Sequence, residues 1–256
     1  MDTPPEVIAA LPATLDGFAP VSLAEMQDVK LLDRLDTKFT FRQDQLPGLL
    51  GEMAPHYRLL EINGARTHRY ETLYFDTDGL DLYARHHSGK YSRYKIRYRR
   101  YVESGVCFFE VKTKNNKGRT IKQRIERPAI PANLTGDEAA LLERETPLKV
   151  GAFKPVMWVH FTRLTFVSKT APERLTLDLD LSYQSESLQA GFPRLAIAEV
   201  KQDKLSSASP FVRMMRARRI WQGSMSKYCF GIIHLYPHVK MNRFKERMKQ
   251  IKLVAT

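Results

Sequence analysis

The stretch Arg174-Leu-Thr-Leu-Asp-Leu-Asp-Leu181 alternates at every position: Leu175, Leu177, Leu179 and Leu181 take one parity, and Arg174, Thr176, Asp178 and Asp180 take the other. Successive side chains of a strand point to opposite faces, so this segment has an apolar face and a charged one. A charged face ordinarily just meets water. Here several segments repeat the pattern with cations: Lys95, Arg97 and Arg99; Glu110, Lys112 and Lys114; Lys122, Arg124 and Glu126; Glu199, Lys201 and Asp203. A sheet that gathers Lys and Arg from many strands on one side is arranged to hold an anion.

Eight segments read as strands: 35–41, 69–75, 93–101, 106–114, 120–127, 158–167, 174–181 and 195–203. Turns at Glu103-Ser-Gly105 and Asn115-Asn-Lys-Gly118 make the middle ones antiparallel hairpins. Helices are expected at 43–52, with Pro47 in the first turn, at 80–85, at 135–144 with Thr135 as cap and Glu138 three residues on, and at 209–221. The predicted class is α+β, mainly β: an eight-stranded antiparallel barrel, or tunnel, with a polar basic lumen and flanking helices. Residues 1–27 form a lead-in, 28–237 the domain, and 238–256 a basic tail, read as a solvated helix able to dock an acidic membrane surface or partner. An eight-stranded barrel has room for side chains or one small ligand. Burying cations there without an anion costs several kcal/mol per ion, so the lumen must be wet and must contain carboxylates or phosphate.

Composition agrees. The 256 residues carry 41 Lys+Arg against 28 Asp+Glu, a net charge of +13, which calls for an acidic partner. Two isolated cysteines, Cys107 and Cys229, make neither a disulfide framework nor a zinc site. Met1-Asp-Thr-Pro-Pro has no signal-peptide character, and no apolar run approaches the ~20 residues of a transmembrane segment. A cytoplasmic location is expected. Tyr94 and Tyr98 lie opposite Lys95 and Arg97, which suits packing better than a nucleic-acid surface, so no specific nucleic acid is expected. Asp36, Asp178 and Asp180 read as salt-bridge partners in the lumen, and His86 and His87 as exposed.

The segments Leu35-Asp-Thr-Lys-Phe, Tyr74-Phe-Asp-Thr, Asp81-Leu-Tyr, Tyr94-Lys-Ile-Arg-Tyr-Arg, Phe109-Glu-Val-Lys-Thr-Lys, Gly118-Arg-Thr-Ile-Lys and Ala198-Glu-Val-Lys resemble, in order, the VTC domain. That is the polyphosphate polymerase domain of the triphosphate tunnel metalloenzyme (CYTH-like) superfamily. The resemblance implies transfer of the terminal phosphate of ATP onto a polyphosphate chain. It implies catalytic cations Lys95, Arg97, Lys112, Lys122, Arg163 and Arg174, and phosphate contacts from Lys38, Lys201, Ser226 and Lys227. It also implies a divalent cofactor, Mn²⁺ or Mg²⁺, on Glu199. The wider superfamily often begins Glu-x-Glu-x-Lys, whereas this chain reads Arg34-Leu-Asp36-Thr-Lys38. The missing first glutamate favours the polymerase over a triphosphatase; a non-catalytic polyphosphate- or nucleotide-binding module is the remaining alternative. The resemblance fixes no oligomeric state.

Overall fold

The computed structural model describes residues 11–28, 35–116, 119–131, 133–203 and 208–255. Arg34, Gly118 and the first ten residues of the expected lead-in lie outside them. Eleven strands form one sheet: β1 (Pro20–Val21), β2 (Leu35–Arg42), β3 (Tyr57–Leu60), β4 (His68–Asp76), β5 (Arg93–Tyr101), β6 (Cys107–Lys114), β7 (Thr120–Arg127), β8 (Lys154–Ser168), β9 (Glu173–Gln184), β10 (Gln189–Phe192) and β11 (Leu195–Gln202). The eight expected strands make its main path, in the order β2-β11-β9-β8-β4-β5-β6-β7, antiparallel throughout. Three short strands lie off it: β1 pairs in parallel with β3, β3 pairs with β8, and β10 pairs with β9.

The barrel is not closed by hydrogen bonds. Among the described residues β2 and β7, the ends of the path, do not pair. β7 is exposed along most of its length, with Ile121 in solvent and Ile125 half-buried against the core of β5 and β6.

Helices cover both faces. On the outside, Leu46–Met53 and Pro210–Ala217 pack on the outward parity of β2, β9 and β11, where Phe39, Leu175, Leu177, Leu179, Ala198 and Val200 form one core. Ser209 caps the second of these helices, accepting from Val212 N at 3.2 Å. The helix expected at 135–144 runs Asp137–Glu145, two residues later, because Gly136 rather than Thr135 takes the cap position.

The helix Lys227–Leu235 packs on the inner face. A register shift between His160 and Thr162 of β8 places one extra residue in β9. Asp180 there has φ +53, a left-handed conformation that Asp tolerates better than branched residues. The bulge inverts the parity predicted from sequence. Leu181 and Tyr183 turn to the inner side and meet Phe161, Tyr228 and Ile232, while Asp180 leaves the lumen and neighbours Gln43. The expected lumen role of Asp180 is therefore corrected; Asp178, before the bulge, keeps its inward direction.

Buried Asp76 anchors both small helices of this side. It accepts from Leu82 N at 2.9 Å and Tyr83 N at 3.1 Å, at the start of Asp81–His87, and from the hydroxyl of Tyr228. The tail expected to be solvated is docked: helix Lys245–Ala255 buries Ile251, and Arg247 donates to Thr40 Oγ1 at 3.0 Å. No described helix is long and apolar enough to cross a membrane.

Gly231 marks how closely the inner helix sits. A Cβ there would lie 2.1 Å from Met157 Sδ and 2.5 Å from the Tyr183 ring. Helix propensity favours Ala by about 1 kcal/mol, but overpacking costs about 1–3 kcal/mol and the Tyr183 ring has little room to yield. Gly231→Ala should lower the unfolding free energy by about 1–2 kcal/mol, seen as a lower urea midpoint at unchanged slope; a raised midpoint would show the helix to be loosely seated.

Candidate functional site

The inner face is split in two. On β11, Leu195 and Ile197 join the apolar packing under the helix Lys227–Leu235, and Glu199 and Lys201 continue the same parity as charges. On β8, Met157, Val159 and Phe161 are apolar, and Arg163 follows. The apolar half fastens the inner helix; the charged half is left facing a cavity.

Three carboxylates, buried Glu110 and Asp178 and partly buried Glu199, organise the charged half, and each is gripped by two cations. Glu110 accepts from Arg97 Nε at 2.8 Å, Arg97 Nη2 at 2.6 Å and Lys122 Nζ at 3.2 Å. Asp178 accepts from Arg163 Nε at 2.6 Å and Nη2 at 2.8 Å, and from Lys227. Glu199 accepts from Lys201 at 2.7 Å on one oxygen and from Lys38 on the other. Burial alone would raise all three carboxyls, but the flanking cations more than offset it and hold each well below the usual range. Each set thus keeps one net positive charge.

Other cations have no carboxylate. Lys112 makes no hydrogen bond or ion pair among the described residues, and burial, followed by repulsion from Arg97, Lys95 and Arg99, pushes it down to about 7. Lys95 donates to Ser226 Oγ at 3.0 Å. Arg99 lies over the rings of Tyr70 at 5.4 Å and Phe161 at 6.0 Å, and burial and Arg97 lower its pKa. The Glu199 charge also acts on Lys112, although four strands separate β11 from β6 along the sheet. The sheet therefore curls enough to bring its two wings to a common space. That space is a cavity of about 530 Å³, walled by Lys38, Arg93, Lys95, Lys112, Lys114, Ser226 and His86. A larger hollow of about 840 Å³ lies elsewhere, among Leu73, Pro128, Ile130, Pro155 and Trp158, and carries little charge.

The expected residues fall into three groups. Lys38, Lys95, Lys112 and Ser226 line the cavity. Arg97, Lys122, Arg163, Lys201, Lys227 and Glu199 form the paired layer next to it. Arg174 is not brought to the wall: it stands opposite Lys201 near the start of β9 and donates to the Met26 carbonyl in the helix Leu23–Asp28. Ser226 also caps the inner helix, accepting from Cys229 N at 3.3 Å, so the residue that holds Lys95 also starts the helix carrying Lys227.

His86 corrects the expectation of an exposed ring. It lines the cavity, and burial with the charges of Lys95 and Arg93 pushes it down to about 3, so it stays neutral. Arg93 and Lys114 share the parity of Lys95 and Lys112, a signal present in the sequence. His86 arrives from a helix and carried no such signal.

Among the described residues no three His, Cys, Asp or Glu side chains gather to hold a metal ion. Hard cations that act on phosphates often take one or two carboxylates and complete their shell from phosphate and water. Glu199 fits that lesser role. It is the one carboxylate of the three held by lysines alone, without an arginine fork, so a point charge can leave it when a cation arrives with phosphate.

A family model for the VTC domain matches residues 33–236. The chain belongs to the VTC domain family. No curated protein matches it by sequence. Among solved structures, HpAC1 from Hippeastrum, described with a dominant triphosphatase activity, shares 16% identity over 77% of this chain and 95% of its own, with a TM-score of 0.50. The PH1819 protein from Pyrococcus horikoshii shares 15% identity over 77% and 97%, with a TM-score of 0.44. The first likeness shows a common fold, so this VTC domain has the antiparallel architecture of a tunnel-type protein.

Lys112 gives a test with a definite sign. Its folded pKa is depressed, so in the free protein it is mostly neutral above pH 7 and a bound anion recharges it. Tripolyphosphate binding at about pH 8 should therefore take up as much as about one proton through Lys112, and affinity should fall as pH rises through about 7. Calorimetry in two buffers of different ionisation enthalpy measures the uptake. Equal proton counts for wild type and Lys112→Ala would contradict this.

Proposed function

We propose that this VTC domain is a metal-dependent polyphosphate polymerase that transfers the terminal phosphate of ATP onto a polyphosphate chain in its basic lumen. The observation that carries the reading is the convergence of uncompensated Lys112, Lys95 and Arg99 with three cation-carboxylate-cation sets on one concave face. Such a face favours an extended run of phosphates over a single anion, because the charge is spread over several strands.

A terminal oxygen of the acceptor chain attacks the γ-phosphorus, a new P–O–P bond forms, and the bond to the β–γ bridging oxygen breaks with its electron pair leaving on ADP. This chemistry needs positioning and charge neutralisation more than a protein base. Lys38, Lys95 and Lys112 act as point charges along the phosphates. The Nη1 group of Arg163, which does not bond Asp178, remains available to phosphate oxygens. Lys201, Lys227, Arg97 and Lys122 are held in place by their carboxylates. Mn²⁺ or Mg²⁺ on Glu199 would supply Lewis-acid polarisation of the phosphate. Free Cys107 and Cys229 and the nucleotide donor suit a cytoplasmic site of action.

A triphosphatase is the second reading, supported by the activity described for HpAC1. The two separate on product. Incubated with ATP, Mn²⁺ and a short polyphosphate primer, the protein should lengthen the primer on gels, with one ADP released per phosphate added, and Lys112→Ala should slow growth by about 100-fold or more. Orthophosphate release without chain growth would replace the polymerase with the hydrolase.

A further inference from the structure

Residues 238–255 lie beyond the family match, which ends at 236. They nevertheless pack against the domain, and Arg243 and Phe244 among them line the cavity. Tyr83 donates its hydroxyl to the Lys240 carbonyl at 2.7 Å. Arg247 donates to Ser224 O at 3.1 Å, Gln250 Oε1 at 2.9 Å and Thr40 Oγ1 at 3.0 Å. Its guanidinium lies flat on Gly223, where a Cβ would come within 2.5 Å of its Cζ. Gly223 N in turn donates to the Lys38 carbonyl at 2.8 Å, so this contact reaches the first cationic strand.

Arg243, one helical turn earlier, has the same kind of seat with a different outcome. Its guanidinium rests on Gly89, at φ +68, where a Cβ would lie 2.1 Å from Nη1. It lines the cavity with Arg93, Lys95, Lys112 and Lys114, and the facing carboxylate is that of Asp36 on β2. Unlike Arg247, Arg243 makes no hydrogen bond or ion pair among the described residues. Segment anchoring by Arg247 and Ile251 leaves it no structural bond to make. A planar fork resting on bare backbone, beside four basic side chains, presents its donors to whatever anion enters.

We infer that Arg243 is a further phosphate-binding residue, supplied by the C-terminal segment and taking the phosphoryl oxygens of a condensed phosphate at the cavity mouth. The inference rests on the phosphate-lumen reading above. Those oxygens belong either to the nucleotide donor or to the polymer.

Calorimetric titration of the full chain with ATP, inorganic tripolyphosphate and long-chain polyphosphate decides it, with Lys112→Ala run alongside. Arg243→Ala should keep its thermal midpoint, since the side chain makes no internal bond, and should lose about tenfold or more in affinity, the scale of charge-assisted hydrogen bonds. A loss confined to ATP assigns Arg243 to the donor; a loss confined to long-chain polyphosphate assigns it to the polymer; a loss for all three places it on a stretch common to both. Affinities within about twofold of wild type for every ligand, while Lys112→Ala loses about tenfold, would overturn the role of Arg243 and leave the lumen reading standing. Unchanged binding in both variants would remove the lumen reading and this inference together.

Discussion

Like charges on a concave face repel, and the charged half of this fold is shaped by how that repulsion is managed. Three carboxylates, Glu110, Asp178 and Glu199, each bind two cations and so fix six side chains from different elements. Removing one would strand two partly buried cations, a change that commonly costs about 3–5 kcal/mol. The compensation is incomplete in its charge balance: each set retains a positive charge, Lys95 and Arg99 add more, and Lys112 gains its proton as an anion arrives. The residue of charge is what an incoming polyanion would neutralise.

The apolar half makes this possible. The inner helix Lys227–Leu235 packs on Met157, Phe161, Tyr183 and Ile197, and that packing holds Lys227 against Asp178 and Ser226 against Lys95. The bulge at Asp180 is the link between the halves. It swings Leu181 and Tyr183 under the helix just where the charged run of β9 stops. Without the extra residue, the helix would meet a polar surface and the lumen would have no floor. Asp76 ties down the start of the same helix through Tyr228.

Much of this was legible in the sequence, for identifiable reasons. The period-2 alternation gave all eight strands of the main path, and parity correctly grouped Lys95, Lys112, Lys38 and Glu199 on one side. Alternation fails at a bulge, since Asp180 looks like any other polar position until the partner strand is known. Arg174 keeps the inward parity but lies at a strand end, where it donates to the Met26 carbonyl and is not among the cavity-lining residues. His86 and Arg243 are brought in by helices, and no local period announces a long-range contact. The glycines that seat Arg243 and Arg247 read only as turn residues. The docked tail was hidden by its charge: a few apolar positions, chiefly Ile251, decide its placement against many exposed lysines.

Cations from separate strands converge on one space, and in our proposal they hold a condensed phosphate there. A crystal structure grown with tripolyphosphate tests it most directly. Phosphate density is expected between Lys95, Lys112 and Lys38, within reach of Arg163. Density confined to the outer surface, with the lumen cations unmoved and bridged by water alone at saturating ligand, would contradict it.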